Sequence, residues 1–195
     1  MLPQKVHESQ KAALMEATVK TVVDHGFEKT SLRTIGSLSG VNEVYIYRYF
    51  KNKDDLLAQT FRYADEFFLN FILENFPVMS YESVDYEMRC RLLFKKCWDF
   101  VMSHRDWLIF YIRYYYSSAF IKNSYDDHIA RYSVLIDKMR PACHPDAEVE
   151  TVLHHILDTL LGQARKQITH PQDEKQAESD TFWLLFSVLK CGKGI

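Results

Sequence analysis

The sequence predicts an all-α protein, and three observations support that fold class. Apolar residues recur at spacings of three and four through most of the chain, as they do on the buried faces of helices. Only 6 glycines and 5 prolines occur among 195 residues, which argues against a sheet-rich or disordered chain. With 47% hydrophobic and 14% aromatic residues, the chain can bury a sizeable core. We predict an N-terminal three-helix domain at residues 1–53 and a C-terminal helical bundle at residues 54–195.

The first predicted helix covers about residues 9–25. Leu14, Ala17 and Val22 lie on one face of it at helical spacing. Gly26 follows in the position where a glycine commonly ends a helix. This helix has no chemistry of its own, so we expect it to brace the two that follow.

The second predicted helix is short. Ser31 precedes it, where a hydroxyl can cap the first free backbone N–H groups. Leu32, Ile35 and Leu38 form its apolar face. Gly40 then supplies the backbone freedom that a sharp turn between two helices needs.

A third predicted helix runs from Glu43 to about Phe50, with Asn42 as its N-cap. Its buried face would carry Ile46, with Tyr49 or Phe50 at the next turn. Its opposite face would carry groups that can meet bases and phosphates, namely Glu43, Val44, Tyr45, Tyr47 and Arg48. This pattern is typical of a helix-turn-helix whose second helix is presented to a major groove.

These residues resemble the N-terminal signature of the TetR/AcrR family of bacterial transcriptional regulators. The matching elements are Gly26-Phe27, Thr30-Ser31, Ile35-Gly36, Gly40-Val41-Asn42, Ile46-Tyr47, Tyr49-Phe50, Lys53 and Leu56. Gly36 replaces the family's usual alanine, and Glu43 and Val44 fill variable positions, so no operator sequence follows. The resemblance implies a DNA-binding surface made by Ser31, Arg33, Asn42, Glu43, Val44, Tyr45, Tyr47, Arg48, Lys51 and Lys53. A plain surface arginine at position 33 and a core aromatic at position 47 are the alternatives.

A long helix is predicted from Asp54 to about Phe76, where Pro77 ends it. A further helix is predicted from Tyr86 to Ser103. In the family, the first of these links the DNA-reading head to the regulatory body.

The segment 107–120, WLIFYIRYYYSSAF, is apolar or aromatic almost all round, which predicts burial on most sides. One interpretation is a plain core helix. The other, favoured by the family's use of this region, is an effector pocket lined by Phe94, Trp98, Trp107, Tyr111, Arg113, Tyr114 and Tyr115. A buried guanidinium needs an acidic partner, so Arg113 is either paired internally or receives an anionic effector.

After an amphipathic helix at about 123–140, the last two predicted helices are more apolar than one covering layer needs. In the family, the corresponding helices of two subunits form a four-helix bundle. The resemblance therefore implies a homodimer interface made by Leu153, Ile156, Leu157, Leu160, Gly162, Ala164, Phe182, Trp183, Phe186 and Leu189.

Three classes of function remain. The leading one is a ligand-responsive regulator, most often a repressor in this family, that binds a near-palindromic double-stranded DNA operator as a homodimer and is released by a small-molecule effector. The alternative is an interaction protein whose head docks a protein partner, since the net charge is only −2. An enzyme is not expected, because no catalytic motif occurs. We expect no cofactor and no metal, and a cytoplasmic location without membrane contact, because no signal peptide or apolar run of spanning length occurs.

Overall fold

The computed structural model describes residues 4–143 and 145–191, with side chains throughout except at residues 4–8, 43, 188, 190 and 191. Across this described part the secondary structure is helical, without strands, which confirms the all-α prediction. The α-helices are α1 Gln4–His25, α2 Leu32–Ser39, α3 Glu43–Ile46, α4 Lys53–Asn75, α5 Tyr86–Ser103, α6 Arg105–Tyr115, α7 Ser118–Asn123, α8 Tyr125–Met139, α9 Val149–Thr169 and α10 Glu174–Cys191. Short 3-10 helices at Phe76–Ser80 and Arg140–Ala142 follow α4 and α8.

Two predicted helices differ from the observed ones. The helix expected to reach Phe50 ends as α3 at Ile46, because the amides of Arg48 and Tyr49 bond to carbonyls three residues back and tighten the chain into turns. The aromatic segment 107–120 is divided between α6 and α7. Ser117 makes this division, since its hydroxyl accepts a hydrogen bond from the Phe120 amide and caps α7.

The described chain packs as two compact units. Unit 1 contains the residues up to Asp65 together with Ile109–Tyr125, and unit 2 contains Glu66–Leu108 and the residues from Asp126 onward. The unit boundary thus differs from the predicted one at residue 53, because the start of α4 and most of α6 pack with the N-terminal helices. Helices α4 and α6 contribute residues to both units.

The core of unit 1 is aromatic. The ring of Phe61, from α4, lies 4.8 Å from that of Tyr111 and 4.9 Å from that of Tyr114, measured between ring centroids. Phe120 of α7 completes the cluster at 5.3 Å from Phe61. Ile35 of α2 is also fully buried. This cluster gives the short helices of the unit a rigid base.

The core of unit 2 is built around the last two helices. Phe182 of α10 lies 5.6 Å from Phe94 of α5 and 5.4 Å from Phe186, again between ring centroids. Helix α9 buries the apolar side that contains Leu153 and Leu160. None of the described helices has the length and apolar character needed to cross a membrane.

Candidate nucleic-acid interface and ligand cavity

The turn between α2 and α3 has the predicted capping residues. The Ser31 hydroxyl accepts a hydrogen bond from the Thr34 amide at 3.1 Å, and the Asn42 side-chain oxygen accepts one from the Val44 amide at 3.0 Å. Gly40 ends α2 with φ of 70°, and a Cβ there would meet no atom within 4 Å. The backbone angle alone therefore requires glycine at this position. The caps and the turn fix the direction in which α3 leaves α2.

The segment 43–50 presents aromatic side chains to solvent. Val44 is 73% exposed, Tyr47 58% and Tyr45 39%. Ile46 and Phe50 are buried and hold the segment against unit 1. The outward face therefore matches the predicted one, apart from the Glu43 side chain, which lies outside the described residues.

The exposed Arg48 is stacked on Tyr45, with the guanidinium carbon 4.4 Å from the ring centroid. Such a contact orients the guanidinium while leaving its N–H groups to donate to phosphate or to a base edge. The neighbouring Tyr49 differs, because its hydroxyl donates to Gln10 Oε1 at 2.7 Å and ties the segment to α1.

Helix α2 adds a second part of this surface. Arg33 and Ser37 are exposed and border two open depressions. One depression is also lined by Thr21, Asp24, His25, Thr34 and Leu38, and the other by Gly36, Gly40, Val41 and Asn42. Leu38, predicted to be buried with Ile35, is 51% exposed. Leu38 occupies the last turn of α2, and sequence spacing alone did not separate its position from the buried face.

Lys53 makes two hydrogen bonds within the subunit that the sequence did not suggest. Its ammonium donates to the carbonyl of Phe27 at 3.1 Å and to that of Thr30 at 3.0 Å. These two bonds hold the loop that leads into Ser31. An ammonium has three N–H donors, so one remains for an outside acceptor. Lys51, by contrast, is exposed.

Of the effector residues predicted on α6, Tyr111 and Tyr114 are buried in the core of unit 1, whereas the predicted burial of Arg113 is wrong, because Arg113 is exposed. Tyr114 is fully buried, and the Tyr111 hydroxyl donates to Asp65 Oδ1 at 2.9 Å. Arg113 donates from Nη1 to the carbonyls of Val22, in a short contact, and of Val23 at 2.9 Å. The internal alternative for Arg113 thus holds, with carbonyls at the C-terminal end of α1 as acceptors in place of a carboxylate.

The remaining residues predicted to line the effector pocket lie in different units. Tyr115 lies in unit 1, with its ring 4.6 Å from that of Phe120. Trp107 and Trp98 belong to unit 2, where Trp98 is buried. Of the seven predicted residues, Phe94 is the one that lines the cavity of unit 2.

That cavity has a volume of about 140 Å³ and apolar walls. The cavity is lined by helices α4, α5, α8, α9 and α10 and by the segments that directly follow α4 and α8. The lining residues are Ile72, Phe76, Met79, Tyr86, Cys90, Leu93, Phe94, Cys97, Leu135, Met139, Ala142, Cys143, Leu153, Ile156, Leu157, Leu160, Phe182, Leu185, Phe186 and Leu189. Sequence analysis missed this set. The available signal was the helical spacing of Tyr86, Cys90 and Cys97 on one side of α5.

Burial keeps the polar groups of the cavity neutral. It raises the pKa of the Cys97 thiol to about 12 and also raises that of Cys143. Burial is the main reason that the pKa of Tyr86 is raised, and the neighbouring Cys90 and Cys143 add to the effect. The Cys97 and Cys143 thiols therefore stay protonated at neutral pH, which suits an apolar occupant.

Most of the predicted dimer residues are already buried within the subunit. Six are in its core, namely Leu153, Leu157, Leu160, Ala164, Phe182 and Phe186. These six cannot form a large part of a contact surface, because they have little area left to cover. Trp183 and Gly162 are exposed, and Ile156 and Leu189 are partly covered. Leu184, which the prediction did not include, is exposed beside Trp183.

Comparison by sequence matches residues 14–60 to the family described as bacterial regulatory proteins, tetR family. The matched stretch contains the turn, the exposed face of segment 43–50 and the Lys53 anchor. None of the curated protein sequences matches the chain.

Comparison by structure finds regulators with the same fold along their whole length. A TetR family transcription regulator from Marinobacter aquaeolei VT8 has a TM-score of 0.78 at 17% identity, covering 95% of this chain and 97% of its own. A TetR-family transcriptional regulator from Haemophilus influenzae RD has a TM-score of 0.69 at 18% identity, with 93% and 98% covered. The transcriptional regulator FadR from Bacillus subtilis, solved in complex with stearoyl-CoA, has a TM-score of 0.67 at 19% identity, with 94% and 98% covered. The N-terminal region of the chain therefore matches the tetR family of bacterial regulatory proteins, and the fold of the chain is that of these solved regulators.

Proposed function

We propose that this protein is a transcriptional regulator that binds a DNA operator as a homodimer and is released from it by a small molecule. The observation that carries the proposal is the exposed face formed by Tyr45, Tyr47 and Arg48. The buried Ile46 and Phe50 hold this face in place, and a capped glycine turn orients it. Large aromatic side chains held at the surface beside a guanidinium are suited to base edges and phosphates.

Charge on the same unit supports DNA as the partner. Arg33, Arg48 and Lys51 are exposed cations, and Lys53 keeps one N–H for an acceptor. We assign phosphate contacts to Arg33, Lys51, Lys53 and Tyr47, and base-edge contacts to Tyr45 and Arg48. Ser31 and Asn42 act mainly as caps, since their side-chain oxygens already accept backbone hydrogen bonds.

A second subunit would supply the second reading head that a near-palindromic operator requires. The surface we propose for that contact contains Trp183 and Leu184 of α10 and the open backbone at Gly162 of α9. Among the described residues, a Cβ at Gly162 would meet no atom within 4 Å, so the site is open to close approach by another helix. These exposed positions replace the six core residues as the centre of the proposed interface.

The cavity of unit 2 is the proposed effector site. FadR from Bacillus subtilis binds stearoyl-CoA, and an apolar cavity in this chain is consistent with an apolar group in its effector. Release would follow from differential affinity, because a ligand that prefers one conformation of the body lowers the population competent for DNA. Repression is the output most common for the family, and we propose it here.

Binding to the DNA upstream of the protein's own gene tests the proposal. We expect the affinity to fall about a thousandfold or more between 50 and 200 mM salt if a dimer contacts six to eight phosphates. Tyr47→Ala is expected to lower the affinity by about tenfold, the equivalent of one lost hydrogen bond to a charged group. Fluorescence anisotropy with labelled duplexes measures both effects.

The matched control is Tyr81→Ala, since Tyr81 is 56% exposed and Tyr47 is 58% exposed. Tyr81 lies in unit 2, outside the proposed DNA surface. Salt-independent association, or equal affinity of the two variants for DNA, would contradict the assignment. A head that binds a protein in place of DNA would give such a result.

The dimer contact has its own test. Leu184→Glu would place a charge in the proposed interface, whereas Val134→Glu places one on α8 at equal exposure, 51% against 50%. Sedimentation analysis is expected to show that the first variant is monomeric and the second dimeric. Identical association of both variants would rule out this face of α10 as the interface.

A further inference from the structure

The wall of the unit 2 cavity is apolar, but a cation lies beside it. Tyr86 and Met79 both line the cavity. The Arg89 guanidinium carbon lies 5.7 Å from the centre of the Tyr86 ring, and Arg89 Nη1 donates to the Met79 carbonyl at 2.6 Å. Arg89 is therefore held between two lining residues by a hydrogen bond and a ring contact.

One edge of this guanidinium has no acceptor. Arg89 Nε is buried and makes no hydrogen bond, and Arg89 forms no ion pair with any carboxylate in the part of the chain that the structure describes. A buried guanidinium N–H without an acceptor is costly, and a carboxylate is the acceptor that fits its fork geometry best. The position is thus prepared for an anion that the chain itself does not supply.

The positive potential extends to the cavity wall. The charge of Arg89 opposes the rise in the pKa of Tyr86, and the charge of Arg140 opposes the rise in the pKa of Cys143. Both affected groups line the cavity. Arg140 is paired with Asp137, at 3.6 Å between Nη2 and Oδ1, so Arg89 is the cation beside these lining groups that has no carboxylate partner among the described residues.

The walls can adapt to a chain longer than the open space. At about 140 Å³ the cavity is close to the size that holds a benzene molecule, roughly 150 Å³. Met79 and Met139 are unbranched and polarizable, so they can change rotamer to admit a flexible alkyl chain. The alkyl part of a ligand gains its affinity from burial, and only its head group needs a polar partner.

We infer that the effector is a single-chain anionic amphiphile, with its alkyl chain in the unit 2 cavity and its anionic head on the Nε edge of Arg89. This inference rests on the proposed function, since it names the chemical class of the proposed effector. It also makes Arg89 the residue that distinguishes an acid from a neutral alcohol of the same chain length.

Binding of octanoate, octyl phosphate and octan-1-ol to the full-length protein, measured by calorimetry without DNA, tests the inference. Octanoate is expected to bind about tenfold or more tightly than octan-1-ol, because a charged hydrogen bond is added to the same buried chain. The octyl phosphate arm distinguishes a carboxylate head from a phosphate head, and tighter binding of either anion than of the alcohol agrees with the inference.

Arg89→Met is expected to remove the preference for the acid while leaving the affinity for octan-1-ol within about twofold, since alkyl burial is unchanged. Arg131→Met, on α8 in an ion pair with Asp127, removes the same charge elsewhere and should keep the preference. Because loss of the bond to Met79 could unfold the first variant, its melting temperature is measured alongside, and Arg89→Lys supplies a cation with a different geometry.

Equal affinity of the wild type for acid and alcohol would overturn the inference, and so would a preference that survives in folded Arg89→Met or no binding of any of the three probes. Failure of the proposed function has a different readout, namely absence of operator binding by the protein without ligand.

Discussion

Two segments of unit 1 have the same composition and different surroundings. Residues 45–50 read YIYRYF and residues 110–115 read FYIRYY. In the first, Tyr45, Tyr47 and Arg48 face solvent. In the second, Tyr111 and Tyr114 are buried. The comparison teaches that aromatic and arginine content does not decide exposure.

The local backbone structure decides which side chains are exposed. Segment 45–50 follows a glycine turn and contains only the end of a four-residue helix, so few of its side chains can face the core at once. Segment 110–115 belongs to the eleven-residue helix α6, which is packed against Phe61 and Phe27. The two arginines are both exposed and differ in their partners, because Arg48 stacks on an exposed ring and Arg113 donates to two carbonyls of α1.

The largest expected difference between the two segments is the effect of an alanine substitution on stability. Tyr114→Ala would leave a cavity beside Phe61 and should lower the free energy of unfolding by about 3–5 kcal/mol. Tyr47→Ala should change it by no more than about 0.5 kcal/mol, because the side chain is exposed. Urea denaturation followed by circular dichroism measures both. Similar losses in the two variants would show that segment 45–50 is packed in solution, which would break the comparison.

The part of this site that sequence analysis could predict is the local part. Ser31, Gly40 and Asn42 act within a few residues of themselves, so their capping and turn roles can be inferred from adjacent sequence. The acceptors of Lys53 are 23 and 26 residues away, and those of Arg113 are 90 and 91 residues away. No local pattern encodes such partners.

The lining of the cavity could not be predicted for the same reason, because it brings together residues that are far apart in the sequence. Its lining comes from helices spread between Ile72 and Leu189. Sequence spacing identified Phe94 on α5, but it could not show which other helices face that residue. Likewise, it assigned Leu153 and Leu160 to a dimer surface because apolar residues on α9 can cover either the subunit's own core or another subunit.

A smaller difference in stability is expected between the variants of the two arginines, Arg113 and Arg48. Arg113→Met would remove two charged hydrogen bonds to the carbonyls of Val22 and Val23, although the Gly26 amide still donates to Val22, and should cost about 1–3 kcal/mol of stability. Arg48→Met should cost less than about 1 kcal/mol, since an exposed ring contact contributes little.

For DNA binding we expect the opposite order, with a larger effect for Arg48→Met than for Arg113→Met. Loss of a base-contacting arginine costs about 1–3 kcal/mol of binding free energy, so Arg48→Met should weaken operator binding by about tenfold or more. Folded Arg113→Met should bind with nearly wild-type affinity under conditions where both variants are native. Measuring both unfolding and DNA-binding anisotropy for each variant separates a role in stability from a role in DNA binding. Equal losses of DNA affinity in the two variants would show that Arg48 has no special role in binding DNA.

The smallest effect concerns pH. Burial raises the pKa of Tyr114 and outweighs the lowering by hydrogen bonds with Ser124 and Asn123, and the charge of Asp54 adds a smaller rise. The unfolded chain ionises this tyrosine near its ordinary pKa of about 10, whereas the folded chain resists ionisation. The stabilisation is therefore complete below that pH and is lost as the pH rises towards the folded pKa. We expect wild-type stability to fall more steeply between pH 9 and 11 than that of Tyr114→Phe, by on the order of 1 kcal/mol per pH unit. Parallel curves for wild type and Tyr114→Phe would mean that water reaches the Tyr114 hydroxyl, and the contrast between the two segments would then be one of packing without desolvation.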